Sequence, residues 1–120
     1  MITEYPITPI PKPRMTQSDR WRKRPAVLRY FAFADQVRAA GVKIAESGTS
    51  IIFYLPMPKS WSKKKRDNMR GQAHQQKPDL DNLLKALSDA VYADDSVIWN
   101  YHSISKRWSD TGSILVSVAD

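Results

Sequence analysis

Leu80, Leu83, Leu84, Leu87 and Val91 recur at the three- and four-residue spacing that turns one side of an α-helix toward a core. The spacing predicts a helix from Asp79 to Val91, the clearest in the chain. Val27, Tyr30, Phe31, Ala34 and Val37 repeat the pattern and predict a second helix over 25–41, with those five on its core face. Pro25 suits its first turn and Gly41 the position just past its end. "TSIIFYLPM", Thr49 to Met57, is β-branched and aromatic and reads as a buried strand ended by Pro56. "SVIWNYHSISKRW" reads as a strand from Ser96 to Trp108, "SDTG" as a turn, and "SILVSV" as a strand from Ser113 to Val118. Ile114, Val116 and Val118 share one of its faces. These last two strands are expected to form an antiparallel hairpin.

The remaining stretches lack such periods. Pro6, Pro9, Pro11, Pro13 and Pro25 crowd the start of the chain, and proline cannot donate a ladder hydrogen bond. That predicts a short edge strand near Ile2 to Ile7, followed by an extended basic loop. Met57 to Lys77 is charged and aperiodic and reads as a long, flexible basic loop, of the kind that is usually functional or disordered. The resulting order, β, α, β, loop, α, β, β, is that of one α+β domain over 1–120. Its expected architecture is a small mixed or antiparallel sheet with two main helices.

Composition narrows the class. The 120 residues are 42% hydrophobic, enough for one core and too many for a disordered chain. There is no cysteine, so neither a disulfide framework nor a thiolate metal site is open to it. "MITEYPITPIPKPR" lacks the basic and apolar regions of a signal peptide, and no apolar run approaches a membrane span. A cytoplasmic protein that avoids membranes is expected. The net charge is +7, concentrated in "RWRKR" (Arg20, Arg22, Lys23 and Arg24) and in "KSWSKKKRDNMR" from Lys59 to Arg70. Two such runs in one small domain point to nucleic acid as partner.

Against that background the acids are unevenly placed. Asp79, Asp81, Asp89, Asp94 and Asp95, five of twelve acidic residues, fall between Lys77 and Ser96. Asp81, Lys85 and Asp89 form an i, i+4, i+8 stripe opposite the leucines. Two readings stand side by side. In one, Asp79 caps the helix, Asp81 favours its dipole and "ADDS" is a turn. In the other, the carboxylates converge and need a divalent cation. Oxygen donors without cysteine favour Mg²⁺ or Mn²⁺ over Zn²⁺. A helix of this length runs about 20 Å, so Asp94 and Asp95 meet Asp79 only if the chain doubles back into the entering strand or a second subunit closes the gap.

The string "KPDLDNLLKALSDAV", then "YADDSVI", then "SKR" resembles the RusA family of Holliday junction resolvases across Lys77 to Arg107. "PIPKPR" and the basic segment before the motif are similar more loosely. The resemblance implies a Mg²⁺-dependent homodimeric endonuclease, with Mn²⁺ able to substitute, that cuts four-way DNA junctions by paired nicks. It would be bacterial, or phage-encoded in a host cytoplasm. By position it assigns catalytic and metal-binding roles to Asp79, Asp81 and Asp95 and a catalytic role to Lys85. It assigns no firm ligand role to Asp94 and leaves Asp89 outside the cluster. Arg20, Arg22, Lys23, Arg24, Lys63, Lys64, Lys65, Arg66 and Lys77 are then the expected DNA contacts. The alternatives are a less selective branched-DNA nuclease and a catalytically silent basic DNA-binding dimer. Phe31, Phe33, Trp99 and Tyr101 are apolar residues available to an interface. Trp61 is expected to anchor its loop, His74 to be solvent-exposed and His102 to be packed.

Overall fold

Helix α1 (Pro25–Ala40) begins at its proline and ends where Gly41 turns left-handed (φ 66°), its N–H bonding back to the Arg38 carbonyl at 3.1 Å. The described residues are 1–14 and 24–119 of a computed structural model. They form strands β1 (Ile2–Tyr5), β2 (Thr49–Pro56), β3 (Tyr101–Ser109) and β4 (Ser113–Ser117) with α1, α2 (Lys63–Met69) and α3 (Leu80–Val91). A 3₁₀ turn at Asp95–Val97 lies between α3 and β3. The fold is α+β with a mixed four-stranded sheet and three α-helices among the described residues.

The core lies between the sheet and the pair α1 and α3. Ile51 and Phe53 of β2 and Ile114 and Val116 of β4 face Tyr30, Phe33 and Val37 of α1 and Leu83, Ala86 and Leu87 of α3. Phe53 and Leu87 are fully buried. Phe33, not Phe31, supplies the aromatic core residue of α1; Phe31 is 39% exposed. Both lie within one helical turn of Tyr30 or Val27, so spacing alone permits either, and the sheet's position selects Phe33.

The expected hairpin of the last two strands does not form. The sheet order is β1-β4-β2-β3, with β2 and β3 parallel and β4 antiparallel between β1 and β2. The reason lies in β4 itself. Ile114 and Val116 are buried in the core, which suits an interior strand. β3 is polar at His102, Ser103, Ser105 and Arg107, which suits an edge. The connection from Ser109 to Ser113 therefore steps across the end of β2. Gly112 lets it pass Thr8, whose Cα would stand 2.7 Å from any added Cβ. Parallel pairing of β2 and β3 needs a crossover, and the segment carrying α2 and α3 supplies it.

Residues 57–77 carry helix α2 and pair with β3 rather than forming a bare loop. Ser62 caps α2 by accepting from the Lys65 amide at 3.2 Å. Arg70 binds Asp110 at 2.7 Å and Asp67 at 3.0 Å. Residues 71–74 then run along β3, with Gly71 N–H to Trp108 O at 2.8 Å and His74 N–H to Lys106 O at 3.1 Å. Helix α2 buries no residue, so it carries no apolar stripe for periodicity to detect. Trp61 does anchor this segment, its ring 4.7 Å from Trp108. His74 is buried, 4.0 Å from the same indole, whereas His102 is exposed, the reverse of the expectation for both. No helix among the described residues is long and apolar enough to cross a membrane.

Candidate active site

Helix α3 presents two faces because its leucines demand it. With Leu83 and Leu87 committed to the core, Asp81, Lys85 and Ser88 fall along the flank that looks toward the start of β3. Tyr92 ends the helix and sends its hydroxyl to the Ile44 carbonyl. The chain then reverses through Asp94 and the 3₁₀ turn. Asp94 caps that turn, accepting from the Ser96 amide at 3.0 Å, and the Ser96 hydroxyl first, then this amide, hold its carboxyl below the usual carboxylate range. Asp95, one residue on, turns the other way and accepts a hydrogen bond from the Ser88 hydroxyl at 3.1 Å.

The chain thus doubles back far enough to bring Asp95 to Ser88 and the flank of Asp81, but not to Asp79. Asp81, Lys85, Ser88 and Asp95, with Leu84, Ile98 and Tyr101, line one open cavity of about 240 Å³. Asp79 lines the neighbouring cavity with Pro11, Lys77, Pro78 and Asn82. Among the described residues no three acidic or histidine side chains stand close enough to hold one ion. The structure therefore joins Asp81 to Asp95 and places Asp79 at the next opening. Asp79 occupies the N-cap position of α3, yet its side chain makes no cap hydrogen bond. Its carboxylate is not consumed by the helix end, contrary to the capping reading. Asp81 Oδ1 accepts from the Asn82 amide at 2.9 Å, which fixes its direction and leaves its other oxygen to the cavity.

Two carboxylates beside an open volume fit Mg²⁺, which keeps several waters and takes one or two carboxylates plus phosphate oxygens. Asp81 and Asp95 are the residues able to hold such an ion here, with Asp79 adjacent. Lys85 is steered by Asp89 at 3.4 Å, and Asp89 by Lys12 at 3.0 Å. Lys12 also lies 4.4 Å over the Tyr30 ring. Burial opposes charge on both partners, but the mutual ion pair wins: Asp89 is held below 3.8 and Lys12 above 10.5.

Two further residues matter here: Ser88, which the sequence reading passed over, and Lys106, which entered it only within the "SKR" string. Ser88 fixes Asp95; it lies seven residues after Asp81, on the same stripe, so helical spacing contained the signal. Lys106 donates to the carbonyls of Gln76 and Pro78 and so braces the backbone entering α3. Nothing in a strand pattern marks that contact.

The basic residues divide. Lys63, Lys64 and Lys65 are exposed on α2, with Lys65 4.2 Å over the Trp61 ring. Arg66 is half-buried against the Pro58 carbonyl (3.0 Å) and Asp110 (3.8 Å), a structural tether. Lys77 is exposed beside Asp79, and Arg24 is exposed at the start of α1. Arg20, Arg22 and Lys23 lie outside the described residues.

The family model described as "Endodeoxyribonuclease RusA" matches residues 6–119. No curated protein and no solved structure matches the chain.

Proposed function

The chain belongs to the RusA endodeoxyribonuclease family, and from that premise we propose that it is a divalent-metal-dependent endonuclease that resolves four-way DNA junctions. The observation that carries the reading is the shared cavity of Asp81, Asp95 and Lys85 in a domain of net charge +7. Asp81 and Asp95 would hold Mg²⁺ or Mn²⁺, with Asp79 at the rim. When bound, the ion supplies an activated water and neutralises charge on the phosphate and leaving oxygen. The chain's own residues do the rest. Ser88 fixes the Asp95 carboxylate. Asp89 holds the Lys85 ammonium beside the cavity, where it stabilises charge developing on the phosphate oxygens. Lys63, Lys64, Lys65 and Lys77 grip flanking phosphates and set register without reading bases. Their pull draws DNA toward carboxylates that would otherwise repel it. A four-way junction has near two-fold symmetry, so paired nicks call for two sites related by a two-fold axis, and the active species is a homodimer.

The test incubates the protein with a four-way junction and a matched linear duplex, in Mg²⁺ or in EDTA. Selective, EDTA-sensitive cutting of the junction is expected. Equal cutting of both substrates would leave a less selective nuclease. Binding without cutting in either Mg²⁺ or Mn²⁺ would leave a silent DNA-binding protein.

A further inference from the structure

The hydroxyl of Tyr101 is the buried side-chain polar atom without a hydrogen-bond partner among the described residues. A buried, unpaired hydroxyl is costly, and each one in a native fold calls for an explanation, a functional role or a bound ion among them. Tyr101 opens β3 and lines the cavity of Asp81, Lys85, Ser88 and Asp95. Its neighbour Tyr92 has no such vacancy, because that hydroxyl is spent on Ile44. Asp95 accepts from Ser88 on Oδ2, and a carboxylate has room for about four hydrogen bonds. Burial, and then the negative charge of Asp95, push the Tyr101 phenol up to about 12.

We infer that Tyr101 is a positioning residue for Asp95, its hydroxyl donating to that carboxylate when a divalent cation draws it into the cavity. Ser88 would then hold Asp95 from α3 and Tyr101 from β3. The two donors differ in timing. The Ser88 bond exists in the empty fold and supports both folding and binding. The Tyr101 bond forms only on loading, so it strengthens cation affinity without stabilising the empty protein. Hydrogen-bond partners of ligating carboxylates characteristically change metal affinity in this way.

This inference rests on the cation reading of the cavity, so Mn²⁺ affinity and metal-free thermal stability are measured together for wild type, Tyr101→Phe and Ser88→Ala. Tyr101→Phe is expected to melt at or above the wild-type temperature and to bind Mn²⁺ about tenfold more weakly. Ser88→Ala is expected to lose on both counts. Wild-type Mn²⁺ affinity in Tyr101→Phe would overturn the inference. So would a clearly lowered melting temperature, since the hydroxyl would then have a partner in the empty fold. A wild type that binds no Mn²⁺ would overturn both this inference and the cation reading. A wild type that binds Mn²⁺ but cuts no DNA, with Tyr101→Phe weakened, would overturn the nuclease reading alone and support the role of Tyr101.

Discussion

Adjacent residues with the same side chain do different work here. Asp94 spends its carboxylate on the Ser96 amide, while Asp95 keeps one oxygen for Ser88 and the rest for the cavity. Replacing Asp81 with Asn should abolish cleavage while DNA binding, measured by gel shift without metal, is kept or strengthened. The Asn82 amide still finds an oxygen acceptor, and one repulsive charge near phosphate is gone. Normal nicking by that variant would remove Asp81 from the site. His74 makes a separate prediction. Burial, then the positive charge of Lys106, hold its imidazole below 6.5. The unfolded chain takes up a proton near pH 6.5 that the folded state resists. Stability is therefore full above that pH and declines as pH falls through it. Melting curves from about pH 7.5 to about pH 5 should show the decline, and His74→Gln should flatten it.

Among the elements, α2 separates binding from folding. It buries nothing, so Lys63→Ala, Lys64→Ala and Lys65→Ala combined should leave the melting temperature nearly unchanged. The same triple change should weaken junction binding and reduce the slope of log K against log salt by about 3. An unchanged slope would place DNA elsewhere on the molecule. Strand β2 behaves oppositely. Phe53 is fully buried between the sheet and its two helices, so Phe53→Ala should cost about 3–5 kcal/mol in chemical denaturation. Most elements were legible in the sequence. The helices α1 and α3 and strands β1, β2 and β4 follow from periodicity and from proline and glycine near their ends, whereas β3 starts at Tyr101 rather than the expected Ser96, because Asp95–Val97 forms a 3₁₀ turn. Helix α2 was not legible, because its only fold-specific signals are a serine cap and ion pairs to Asp110, a residue forty positions away.

Over the whole molecule, one ion pair ties the proline-rich start of the chain to α3. Lys12 and Asp89 lie 77 positions apart and meet at 3.0 Å. Asp89 is held below 3.8, so its contribution is present above that pH and lost as pH falls through the folded value. Lys12 is held above 10.5, so its contribution is present below that pH and lost as pH rises through the folded value. The pair therefore supports the fold between about pH 4 and about pH 10.5. Asp89→Asn should lower the melting temperature at neutral pH and bring it closer to wild type in acid. It should also slow cleavage, because Lys85 loses the carboxylate that steers it.

The sequence by itself determined the α+β class, the two main helices, the motif that carries the family and the charge that favours DNA. Each depends on residues close together along the chain, where periodicity, caps and turns act. The tertiary structure alone decided that β4 enters between β1 and β2, that Phe33 rather than Phe31 faces the core, and that Asp95 returns to Asp81 while Asp79 opens onto the next cavity. Those outcomes depend on which surfaces must be covered at once. Burial is a property of the assembled chain, and a local pattern offers several partners of equal merit until the whole sheet and both helices choose among them.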